Sequence, residues 1–80
     1  MKAIETKYHG PGNVKGSRIS ASDCDGNRII MSYASENTSE ENHRDAALAL
    51  IHKMGWDKSK GYKGIIGGSL KNSMVWVFVE

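Results

Sequence analysis

Apolar and polar positions alternate from the start of the chain. Ile4, Thr6 and Tyr8 fall on one side of residues 3–8 and the charged Glu5 and Lys7 on the other, the period of a half-buried strand. Residues 18–22 and 28–33 repeat the pattern around Asp23-Cys24-Asp25-Gly26-Asn27. A two-residue Asp25-Gly26 loop would pair Ala21 with Ile30 and Ser20 with Met31, scattering apolar residues over both faces. A three-residue Cys24-Asp25-Gly26 loop, closed by glycine in the left-handed conformation, instead sets Ile19 against Met31 and Ala21 against Ile29. Ile19, Ala21, Ile29, Met31 and Tyr33 then share an apolar face, with Arg18, Ser20, Ser22, Arg28 and Ser32 pointing away.

The period changes after Tyr33. Thr38-Ser39-Glu40-Glu41 is the sequence of a capping box, in which the threonine hydroxyl accepts from the third helical amide and the glutamate reaches back to the cap. The helix this predicts runs to about Met54, where Gly55 supplies a left-handed terminating residue. At ~100° per residue, His43, Ala46, Ala47, Leu50, Ile51 and Met54 form one stripe, with Asp45, Ala49, His52 and Lys53 toward solvent. A polar loop, Trp56 to Gly64, leads into a last hairpin. Ile65 to Leu70 is interrupted by Gly67-Gly68, Lys71-Asn72-Ser73 is the turn, and Met74 to Val79 is apolar on both faces.

These elements predict an α+β fold: an antiparallel-rich sheet of about five strands, in the order β-β-β-α-β-β, with one helix packed on one face. A strand with Val75, Val77 and Val79 on one side and Met74, Trp76 and Phe78 on the other is normally covered on both. One helix covers one. The second face, assigned to Met74, Trp76 and Phe78, is therefore expected to meet a protein partner, a second copy in a homodimer or a folded-over loop.

At 80 residues the chain holds a single domain, 1–80. The lone Cys24 excludes an internal disulfide, and no Cys/His cluster has the spacing of a zinc site. Neither a signal core nor a membrane-spanning run is visible, so a cytoplasmic protein with no membrane association is expected. A net charge of +2 is too small to argue by itself for nucleic acid.

Candidate chemistry is sparse. Gly10-Pro11-Gly12-Asn13-Val14-Lys15-Gly16-Ser17 has the glycines and lysine of a phosphate cradle, but Ser17 opens a strand rather than a helix, which favours a plain loop. Asp23-Cys24-Asp25-Gly26-Asn27 imitates the start of a calcium loop without flanking helices or the closing glutamate. Cys24, flanked by acids, is disfavoured as a thiolate. His43 lies on the apolar stripe, where a packed structural histidine is the common case. A hydrolase would need it exposed in a cleft beside a carboxylate. No triad, metal set or cofactor motif is present, so a protein that is not an enzyme and carries no cofactor is expected. The loop from Trp56 to Lys63 interleaves aromatic and basic residues. It offers an alternative, nucleic-acid binding through Lys58, Lys60, Tyr62 and Lys63, extended by Lys15, Arg18 and Arg28 if the polar hairpin face is adjacent.

Taken together, Ile4-Glu5-Thr6-Lys7-Tyr8, Gly16-Ser17-Arg18-Ile19, Ala21, Ser32-Tyr33, Asn42-His43, Ala46 to Leu50, Lys53, Gly55-Trp56 and Gly67-Gly68-Ser69-Leu70 resemble a group of small uncharacterised proteins of phages, prophages and plasmids. The resemblance covers nearly the whole chain and transfers no catalytic residue. It implies a mobile-element accessory protein acting by binding, including as an inhibitor of host defence of the anti-CRISPR or anti-restriction type.

Overall fold

A computed structural model describes residues 2–10, 16–34 and 36–79. The glycine-rich loop and Lys15 lie largely outside that range. Among the described residues five strands and one helix form: β1 (Ala3–His9), β2 (Arg18–Ser22), β3 (Arg28–Ser32), α1 (Ser39–Met54), β4 (Ile65–Ser69) and β5 (Met74–Phe78). A short 3₁₀ turn, Trp56–Lys58, follows the helix. Every strand pairing is antiparallel and the order across the sheet is β3-β2-β1-β5-β4, the expected α+β class.

The local signals act as their chemistry requires. Ile19 faces Met31 and Ala21 faces Ile29, and Gly26 turns the three-residue loop at a φ of 90°. Asp23 organises that loop: Oδ1 accepts from the Asp25 and Asn27 backbone N–H groups at 2.9 Å, and Oδ2 from the Asn27 side-chain amide at 2.8 Å. At the helix start the Glu41 N–H donates to the Thr38 hydroxyl at 3.1 Å, and the Thr38 N–H donates to the Glu41 carboxylate at 2.8 Å. Gly55 ends the helix with a φ of 75°. Ala46, Ala47, Leu50 and Ile51 bury their face of α1 against Ile4, Ile19 and Ala21.

Two positions differ from the expected stripe. Met54 is 37% exposed, and it is Trp56, just beyond the cap, that packs on the core at this end. Asn42 is buried instead. Its carboxamide accepts from the Ala34 N–H at 2.8 Å and donates to the Ala34 and Thr38 carbonyls at 2.8 and 3.0 Å, so the polar group is satisfied and ties the helix start to the chain leaving β3.

The centre of the core is polar in one place. Thr6 of β1 is fully buried, flanked across the sheet by Ala21 and Met74. Its hydroxyl accepts from the Trp76 indole N–H at 3.1 Å and lies 2.6 Å from Nδ1 of His43. The hydroxyl has one proton and two lone pairs, so it meets Nδ1 as donor or as acceptor according to the imidazole tautomer, and the Met74 carbonyl at 3.5 Å is a further acceptor for its proton.

Trp76 also dictates its neighbour. It lies directly opposite Gly67, and a Cβ at Gly67 would sit 2.5 Å from the indole ring, whereas one at Gly68 would meet nothing within 4 Å. These contacts correct the expected face of β5. Pairing Ile4 with Trp76 and Thr6 with Met74 turns Met74 and Trp76 under the helix, where both are buried, and Phe78 packs partly buried on the same side. The face left bare by α1 is that of Val75 and Val77, with Ala3 and Ile66 beside Val77. Gly67→Ala is expected to destabilise the fold by about 1–3 kcal/mol through overpacking. Gly68→Ala should be close to neutral, and urea midpoints of the two variants read the difference.

Candidate functional site

The bare side of the sheet ends in an unprotected strand. The Val79 N–H donates to the Gly64 carbonyl at 3.0 Å and the Leu70 N–H to the Ser73 carbonyl at 2.8 Å. With the register running from Ile65 opposite Phe78 to Ser69 opposite Met74, the hydrogen-bonded pairs fall at Gly64, Ile66, Gly68 and Leu70. Ile65, Gly67 and Ser69 therefore turn their N–H and C=O groups outward, away from β5. The strand carries no charge, no proline and no bulge, and Ile66 and Leu70 are 63% and 56% exposed. Natural edges usually carry at least one of those protections.

The opposite edge does. Bonds from the Asp23 N–H to the Asn27 carbonyl and from the Tyr33 N–H to the Ser17 carbonyl set the alternation in β3, so Arg28, Ile30 and Ser32 face outward there. Arg28 puts a charge on that edge, and Lys53 of the helix donates to its backbone carbonyl at 3.4 Å. One edge is guarded and the other is open.

A second feature lies at the end of the sheet where α1 stops. Trp56 and Tyr62 meet Phe78 edge-on, at ring separations of 6.0 and 6.2 Å, and line a hollow of about 440 Å³. The Lys2 ammonium sits 4.5 Å above the Trp56 ring and pairs with Asp25 at 2.8 Å and Asp23 at 3.3 Å. The Asn27 amide, with backbone N–H groups and Lys2, holds the Asp23 carboxyl down at about 2. Lys58, Lys60 and Lys63 stand exposed along the adjoining loop and Tyr62 is half-buried beneath it. Arg18 and Arg28 are not brought to them. Both alternate with residues facing α1 and so lie on the bare side of the sheet, while the loop packs on the helix side through Phe78. Lys2, which lines the aromatic hollow, is thus already paired with Asp23 and Asp25.

His43 is 6% exposed and its described partner is Thr6, so the arrangement set out for a catalytic histidine, exposed beside a carboxylate, is not the one it occupies. His9 shares a hydrogen bond with Ser20 at 2.9 Å, and His52 lies 3.4 Å from Asp57. Cys24 is exposed in its turn. Among the described residues no group of three or more His, Cys, Asp or Glu side chains is placed to hold a metal ion. No described helix is long and apolar enough to cross a membrane. No protein-family model, curated protein or solved structure matches the chain.

The edge was missed in the sequence because its signal is an absence of charge and proline, read there only as a short strand broken by glycines. Burial pushes the His43 imidazole below its ordinary value. The unfolded chain takes up a proton near pH 6.5 while the folded core resists it, so this contribution to stability is complete above that pH and is lost as pH falls below it. Denaturant midpoints measured between about pH 7 and pH 5 should fall, and His43→Gln should flatten the slope in that window.

Proposed function

We propose that this domain is a non-catalytic binding module that docks an extended protein segment along β4 by strand addition. The observation that carries the reading is the contrast between the edges: β3 carries a charge at Arg28, whose carbonyl Lys53 caps, while β4 is uncharged and offers Ile65, Gly67 and Ser69 unpaired. Main-chain hydrogen bonds would supply affinity there, and the adjacent apolar strip of Ile66, Val77 and Ala3 would select side chains. The mobile-element setting and the role of a host-defence inhibitor belong to this proposal and rest on the sequence resemblance alone. The nucleic-acid reading is less well supported, because the loop lysines stand apart from Arg18 and Arg28, and Lys2, which lines the hollow with Trp56 and Tyr62, is already paired with Asp23 and Asp25.

Ser69 provides a clean test. Its N–H faces outward, so proline there removes no bond to β5, and the preceding Gly68 tolerates the extended backbone that proline demands. Ser69→Pro should leave the melting temperature within a few degrees of wild type while removing proteins that co-purify with the wild-type domain, measured by quantitative mass spectrometry. Retention of those proteins by the variant would overturn strand docking.

A further inference from the structure

We propose that β4 pairs with β4 of a second copy of the chain, antiparallel, with Gly67 facing Gly67 of the partner subunit across a two-fold axis. This rests on the strand-docking reading and names the segment that takes the edge.

The register follows from which groups are free. The outward residues are Ile65, Gly67 and Ser69, evenly spaced about Gly67. Antiparallel pairing centred there sets Ile65 against Ser69 of the partner subunit and Gly67 against its counterpart, so each free N–H meets a free C=O. Sliding the copies by two residues leaves an outward residue at each end unmatched. The arrangement is isologous and closes on itself, which a strand edge presented to its own copy must do to give a dimer rather than a fibre.

Side chains fit the same register. Ile66 points to the bare face and would lie opposite Gly68 of the partner subunit. The position a Cβ would take at Gly68 has nothing within 4 Å, so the space beside it is open to the exposed Ile66 of the other copy. The apolar row Ala3, Val77 and Ile66 then continues across the axis to Gly68 of the partner subunit and Val75 of the partner subunit. No charged side chain stands on β4 to repel its own image. The two sheets become one, and the edge left at each end is the guarded β3.

Sedimentation velocity over a range of concentrations tests this with three proteins. Wild type should move from monomer to dimer mass as concentration rises. Ser69→Pro deletes a hydrogen-bond donor on each side of the axis and should weaken the dimer about tenfold or more. Ile66→Lys should weaken it similarly by removing the apolar side chain that covers Gly68 of the partner subunit and putting a charge on the edge, yet melt within a few degrees of wild type, because Ile66 is 63% exposed in a single copy. That second variant decides the matter if Ser69→Pro fails to fold. A wild-type monomer at every concentration, or a dimer indifferent to both substitutions, would overturn the pairing. If the wild type is monomeric while Ser69→Pro still loses co-purifying proteins, the dimer falls and strand docking stands. If neither assay responds to Ser69→Pro, both fall.

Discussion

The hydroxyl of Thr6 is the point at which β1, β5 and α1 are fixed to one another. A buried indole N–H needs an acceptor, and Thr6 supplies it from the neighbouring strand. The same oxygen meets His43 from the helix above. Once Trp76 is committed to that partner, the remaining choices on β5 are forced. Met74 and Trp76 face the helix, Val75 and Val77 face away, and the residue opposite the indole has room only for a hydrogen, which is why Gly67 stands in β4. A hydrogen bond in the core thus determines which side of the sheet is bare.

The parts of this fold that could be read from the sequence are those whose signals are local. The Asp23–Asn27 turn was decided by which alternation keeps Ile19, Ala21, Ile29 and Met31 together, and the helix by Thr38, Glu41 and Gly55. Each depends on residues a few positions apart. The face of β5 was not readable, because Met74-Val75-Trp76-Val77-Phe78 is apolar on both sides and only its pairing with β1 selects one. Thr6 looked like an ordinary member of an alternating strand, and the helical stripe assigned Asn42 to neither face. Their burial depends on partners, Trp76 and Ala34, that sequence spacing does not bring into view. A buried tryptophan in search of an acceptor, opposite a glycine, was the signal that could have placed the face correctly.

The residues singled out by chemistry type in the sequence are dispersed by the fold. The loop lysines and the hairpin arginines lie on opposite sides of the sheet, the Lys2 that lines the aromatic hollow is paired with Asp23 and Asp25, and His43 serves the core. What the fold concentrates is backbone rather than side-chain chemistry: a row of free N–H and C=O groups on an uncharged strand, next to a strip of Val77, Ile66 and Ala3. A site of that kind recognises shape and strand geometry, and it carries little information in residue types.

The central position of β1 has a consequence for how the protein comes into being. β1, β2, β3 and α1 are made first and can assemble on their own register, yet β1 then lacks one neighbour and Thr6 lacks its indole. Both arrive together with β5, 70 residues later in the chain. Where β1, β2 and β3 pair before β5 is made, the middle strand of the finished sheet is for that time an outer strand, with Ile4 uncovered on one flank, and pairing with β5 closes it. In that interval the chain would expose at its centre the kind of edge the finished molecule keeps at β4.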